Sequence, residues 1–334
     1  MQNKINCPFP SYTLYVGGFF MQTFGILLCL GFGLFLIIKG GDLFVSAAEF
    51  VAEASGIPSF LVGATVVSIA TTLPEMLVSV IAHASGETEM AVGNAIGSVT
   101  ANVGLILGLT FLVIKGDFPR QDYFLKSLLL IFSAAVVTVG GAFGEINLFS
   151  SLLLLGIFGV FMWESLRCGI SNFSKSAKIN IKRNAFFRQI AAFLLGAVGI
   201  TFGAELLVNN GKALAVDILG ISEKAVAVTV LAVGTSLPEL ATSLTAIHKG
   251  SFSLTAGNIL GATILDLTLI PPLCALVSGG SLPVSRDLAR LDAPFCLFII
   301  LMALIPALIK QKTSKTAGAV LLISYTLYII LAVG

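Results

Sequence analysis

Glu75 and Glu239 stand in two versions of one short phrase, and both phrases lie inside apolar stretches. The first reads Thr71-Thr72-Leu73-Pro74-Glu75 and the second Thr235-Ser236-Leu237-Pro238-Glu239, 164 residues apart. The same separation relates Gly93-Asn94-x-x-Gly97 to Gly257-Asn258-x-x-Gly261, and it sets Asn102 opposite Asp266. An ionisable group in hydrocarbon costs several kcal/mol unless it has a partner or a task. A duplicated carboxylate beside a duplicated proline points to an ion pathway rather than to packing.

The proline gives the phrase its chemistry. Pro74 has no N–H, so the carbonyl of Ala70 loses its helical donor and that of Thr71 is loosened; Pro238 does the same for Gly234 and Thr235. Carbonyls freed at membrane depth are tolerated where protein, water or an ion satisfies them. Thr71 and Thr72 lie four and three residues before Glu75, on its helical face. The motif therefore collects carboxylate, hydroxyl and carbonyl oxygens, a donor set suited to a hard cation such as Ca²⁺ or Na⁺.

A second stripe follows. Asn94, Ser98 and Asn102 share one helical face, matched by Asn258, Ala262 and Asp266. The asparagines also suit plain interhelical hydrogen bonding. Gly93, Gly97, Gly104 and Gly108 form a small-residue stripe that permits close helix approach. Glu75 and Glu239 together carry two negative charges, which one Ca²⁺ or two Na⁺ neutralise, and Asp266 adds a third. Cations competing for the same carboxylates give the simplest physical basis for exchange. Asp42 and Glu205 read as helix-end groups, Glu87 and Glu89 as a solvated turn, Trp163 and the many Phe as lipid-facing. His83 and His248 are assigned no role.

The elements that position these groups are membrane spans. Of 334 residues, 57% are hydrophobic and 11% charged, with mean hydropathy +1.01; soluble domains carry about 25% charged residues. Apolar runs of about 20 residues, enough to cross a bilayer core, recur at about 20–40, 59–84, 90–114, 123–142, 148–168, 186–211, 224–247, 253–277, 290–310 and 316–333. The fold class is an all-α polytopic membrane protein, ten transmembrane helices in two five-helix halves. Residues 1–170 form the first half, 171–185 a linker and 186–334 the second half. The five cysteines have no metal spacing, and the four in or at the ends of apolar spans behave as small hydrophobes. No loop is large enough for a soluble domain, and the first ten residues lack a signal-peptide pattern.

Of the Lys and Arg residues, 14 fall on the linker side of the spans and 5 on the other. The positive-inside rule puts both termini outside and the linker in the cytoplasm of a multi-pass plasma-membrane protein. An odd number of spans per half inverts the second half, and inverted repeats with midplane ion sites are a transporter architecture. No HExxH, nucleophile–base pair or cofactor loop marks an enzyme.

These motifs resemble the alpha repeats of the cation/calcium exchanger superfamily, of the prokaryotic sodium/calcium exchanger type, over essentially the whole chain. The resemblance implies an antiporter exchanging Na⁺ for Ca²⁺ by alternating access, with four ion sites near the midplane. Glu75 and Glu239 become the central ligands, Thr71 and Thr235 add carbonyl and hydroxyl oxygens, Thr72, Ser236 and Ser98 serve sodium, and Asn102 and Asp266 line the middle site. Spans 1 and 6 slide across the rest. Two departures matter. Ala70-Thr71-Thr72 stands where Gly-Thr-Ser is usual, and Ala262 replaces the serine expected opposite Ser98, which leaves Ca²⁺/H⁺ or K⁺-dependent Na⁺/Ca²⁺ exchange as alternatives. The expected partners are small inorganic cations and the lipid bilayer, with no cofactor, no nucleic acid and no protein partner, the chain acting as a monomer.

Overall fold

The computed structural model describes residues 12–176, 183–219, 234 and 236–333. Its helices, in chain order, are α1 (Tyr12–Ser55), α2 (Ser59–Ala84), α3 (Thr88–Val113), α4 (Arg120–Ala142), α5 (Leu148–Ser176), α6 (Arg183–Ala213), α7 (Leu237–His248), α8 (Phe252–Val277), α9 (Leu288–Lys310) and α10 (Lys315–Val333). Nine of these are long and apolar enough to cross a membrane. The tenth is α7. Its described part begins at Leu237, and the expected span before it, from 224 to 233, lies outside the described residues.

The inversion of the two halves follows from contacts. His83 near the end of α2 bonds Ser278 just past the end of α8, and Ala64 packs beside Gly257 and Gly261. Thus α2 and α8 run in parallel. A tight turn reverses the chain between α7 and α8, so α7 opposes α2, its repeat mate. The turns themselves are copies. Gly86 closes α2–α3 at φ 94° and Gly250 closes α7–α8 at φ 76°, a left-handed conformation that glycine adopts without strain. In one, Glu87 N–H donates to Ala82 O at 2.9 Å; in the other, Ser251 N–H donates to Ala246 O at 2.8 Å. These are the C-terminal bonds that satisfy orphan helix carbonyls.

α3 and α8 form the centre, with 72% and 83% of their apolar windows buried, against 22% for α1 and α6. α1 and α6 lie outside and pack chiefly on each other. Their contact is backbone on backbone. A Cβ at Gly40 would fall 2.9 Å from Gly196 O, and one at Gly196 would fall 2.7 Å from Gly40 O; Gly33 and Gly203 repeat the arrangement at 2.9 and 2.7 Å. Only residues without a side chain allow this approach. A small apolar cluster, including Phe44, Val45, Ala48, Val67 and Leu254, joins the pair to the rest, with Phe44 stacked on Phe193 at 4.3 Å.

Several expectations change. The first helix does not stop near residue 40. It runs unbroken for 44 residues, about 66 Å at 1.5 Å per residue, so Lys39 and Asp42 are helical rather than terminal. Lys126 is not a loop cation: it is buried inside α4 and paired with Glu164 of α5 at 2.5 Å. Pro74 does not interrupt α2, which is α-helical from Ser68 to Ala84. The departures from α geometry are wide π-turns at Gly63–Val67 and Asn102–Leu107. The glycine stripe of α3 is split: Gly104 and Gly108 press on α10, whereas Gly97 faces open space. Cys29, Cys274 and Cys296 form no disulfide, and Cys168 donates to Glu164 Oε1 at 3.2 Å.

Candidate cation-binding site

The two glutamates meet. Glu75 is 2% exposed and Glu239 is fully buried, each held by the other repeat. Thr72 donates to Glu239 Oε1 at 3.4 Å, and Ser236 donates to Glu75 Oε1 at 3.5 Å. These two bonds are repeat mates, so the second hydroxyl of each phrase reaches across to the other phrase's carboxylate. Ser98 of α3 gives Glu75 a third contact at 3.1 Å. Ala262 stands at the equivalent place on α8 and has no hydroxyl to give Glu239.

The asparagines tie the frame together. Asn94 donates to Ser79 at 2.8 Å, joining α3 to α2. Asn258 donates to Thr242 at 3.1 Å and accepts from Thr71 at 3.4 Å, so one amide links α8, α7 and α2. The bonding role considered from sequence is thus realised, and at Asn258 it positions a motif residue. Ala70 lies in the α-helical part of α2 and Gly234 is buried beside the glutamates, while Thr235 lies outside the described residues.

Among the described residues, Glu75 Oε2, Glu239 Oε2, both polar atoms of Asn102 and both carboxylate oxygens of Asp266 are buried without a hydrogen-bond partner. Such atoms in a low-dielectric interior are costly. Asp266 lies within electrostatic reach of Glu75 and Glu239. Asn102 opens the π-turn of α3, a distortion frequent at functional positions. Among the described residues no three His, Cys, Asp or Glu side chains close on one point. The available donors are instead separate carboxylates with hydroxyls and amide oxygens between them, an all-oxygen set that fits hard monovalent or divalent cations.

An open passage reaches Glu75. A cavity of about 410 Å³ runs from Glu75, Pro74 and Pro238 along α6 to Glu205 and Asn209, both exposed. It leads away from the face that carries the linker. The mirrored route toward the linker face, past Val45 and Thr242, is filled by Phe44, Ala48, Val67 and Leu254 and has no room for water. Behind that plug, Lys249 of the α7–α8 turn donates to Ser46 Oγ at 2.6 Å and to Asp42 O at 3.2 Å, and Ser251 bonds Glu49. Sequence reasoning treated Glu205 as a helix-end group. Its place 163 residues after Asp42 was the available signal, since its mate also sits on a gate.

Known proteins resemble this chain. Residues 25–167 and 188–334 each match the family model described as sodium/calcium exchanger protein. The sodium/calcium exchanger MaX1 of Methanosarcina acetivorans is 28% identical over 357 residues, covering 93% of this chain and 99% of the relative. The inner membrane protein YrbG of Escherichia coli is 32% identical over 298 residues, covering 86% and 89%. A solved structure of the sodium-calcium exchanger NCX_Mj, soaked with Na⁺ and Sr²⁺, superposes with a TM-score of 0.78 at 28% identity, covering 92% of this chain and 99% of that one.

Proposed function

The chain belongs to the sodium/calcium exchanger protein family, and from that premise we propose that it exports Ca²⁺ in exchange for Na⁺ by alternating access. It is a multi-pass membrane transporter of that family and not an enzyme. The observation that carries the finer reading is the crosswise pair, two buried glutamates each held by the opposite repeat and each with one oxygen unpartnered among the described residues.

In this reading Ca²⁺ takes the free oxygens of Glu75 and Glu239 together with carbonyls of the two proline motifs. Na⁺ ions use the same carboxylates with Ser98, Thr72 and Ser236, so the two cargoes exclude each other. Exchange of three Na⁺ for one Ca²⁺ moves one net charge, which couples the cycle to membrane potential at about 2.3 kcal/mol per 100 mV. The linker lies in the cytoplasm and the open cavity faces outside, where Na⁺ enters and Ca²⁺ leaves. The chain divides at the linker, 1–170 and 186–334, and acts as a monomer.

Proteoliposomes loaded with Na⁺ take up ⁴⁵Ca²⁺ when external Na⁺ is diluted. Absence of uptake across a broad pH range overturns the Na⁺ reading. A second reading rests on a specific asymmetry: Ala262 lacks the hydroxyl that Ser98 provides, and Asp266 lies fully buried within electrostatic reach of both glutamates. It assigns H⁺ or K⁺ a share of the counter-transport. Flux driven by a pH or K⁺ gradient alone, without Na⁺, selects it.

A further inference from the structure

On the linker face, far from the glutamates, the α3–α4 and α9–α10 connections are clasped into one unit. Phe118 N–H donates to Gln311 O at 2.9 Å, Thr313 N–H donates to Gly116 O at 3.0 Å, and Gly116 N–H donates to Thr313 Oγ1 at 2.9 Å. The clasp frames a cavity of about 420 Å³. Three exposed lysines line it, Lys115, Lys312 and Lys315, with one opposing acid, Asp117, and buried Phe111 at its apolar side. Among the described residues the ion pairs are Lys126–Glu164 and Lys249–Asp42, so none of these three ammonium groups has an acidic partner.

We infer that this cavity binds the phosphate headgroup of an anionic phospholipid from the adjoining leaflet. Charge complementarity supports it: three unpaired cations converge on one recess, and each Lys near a membrane surface attracts anionic lipid. Depth supports it as well. The recess lies where four spans end, and the residues on its bilayer side are bare hydrocarbon: Val113 is 64% exposed and Ile309 is 65% exposed. Cations that merely set orientation need no shared recess. Here two loops are pinned together so that their lysines surround one volume.

The full chain, purified in neutral detergent and exchanged into defined lipids, is examined by native mass spectrometry. Phosphatidylglycerol is retained in preference to phosphatidylcholine. The combined Lys115→Gln, Lys312→Gln and Lys315→Gln variant loses about tenfold or more of that preference; the matching Lys→Arg variant keeps it, as does neutralisation of Lys175, Lys178 and Lys182 in the linker. Where the triple Gln variant does not fold, Lys312→Gln alone reduces the preference by roughly fivefold. Equal retention of the two lipids, or equal loss in the linker variant, overturns the site in favour of general leaflet attraction. Displacement of the lipid by millimolar inorganic phosphate overturns it in favour of a free-anion site.

Discussion

Thr72 donates its hydroxyl to Glu239 at 3.4 Å, across the boundary between the two repeats. Ser236 returns the bond to Glu75. A hydrogen bond to a charged group is worth about 1.5–3 kcal/mol, so neither hydroxyl is an ornament of the motif. Thr72→Val, which keeps the shape, is expected to weaken apparent cation affinity roughly tenfold to a hundredfold with transport retained at saturating ion. Ion titration of ⁴⁵Ca²⁺ flux reads this, and an unchanged half-saturation refutes it.

Glu75→Gln and Glu239→Gln remove the charge and keep the volume. Each variant is expected to abolish exchange while remaining folded, judged by an unchanged elution profile and melting behaviour. Buried carboxylates with one unpartnered oxygen each are built for a cation and contribute little to stability as they stand. Transport in both variants would show that the cargo binds elsewhere.

Ala262 is the place where the two halves part company. Ala262→Ser restores on the Glu239 side the hydroxyl that Ser98 supplies to Glu75 at 3.1 Å. It is expected to increase Na⁺ affinity severalfold, by about 1 kcal/mol, and to steepen the dependence of flux on Na⁺. Ser98→Ala should do the reverse. If Ala262→Ser leaves the Na⁺ dependence untouched, the missing hydroxyl is not what distinguishes this chain.

Lys249, Ser46, Asp42, Ser251 and Glu49 fasten α1 over the closed route. Lys249→Ala together with Glu49→Gln is expected to shift the population toward opening at the linker face. A cysteine placed at Ala246, beneath the plug, should then react severalfold faster with a membrane-impermeant thiol reagent applied from that side. Slower or equal labelling would assign the latch a purely static role.

Gly40→Leu puts a side chain where a Cβ already falls 2.9 Å from a backbone oxygen of α6. Overpacking of this kind costs about 1–3 kcal/mol, so a lower melting temperature and slower exchange are expected, with ion affinity preserved. Normal turnover in that variant would mean that α1 and α6 tolerate separation.

The candidate site was largely legible because hydrocarbon makes every polar residue conspicuous. Glu75, Glu239, Ser98 and Asn258 announce themselves against an apolar background, and the repeat offset pairs them. The route to the site was less legible. Glu205 and Asn209 lie near an exposed helix flank, where polar residues are ordinary and carry no signal of a passage. The length of α1 was hidden for a related reason. Lys39-Gly40-Gly41-Asp42 reads as a polar break, yet Gly40 is there for contact with Gly196 and Asp42 lies on the latch. His83, unassigned from sequence, bridges Ser278 and Thr88, a tertiary contact that no local pattern encodes.

Gly33 with Gly203 and Gly40 with Gly196 touch backbone to backbone at points seven residues apart on both helices. A side chain at any of these four positions would put its Cβ within 2.9 Å of a carbonyl of the other helix. The two helices therefore form one rod, with the plug near one end and the passage near the other. If the chain exchanges ions as proposed, a slide of this rod that clears the plug would carry the same rod across the passage. Steric exclusion would then guard a cell's ion gradients against a short circuit, without two separate gates timed against each other.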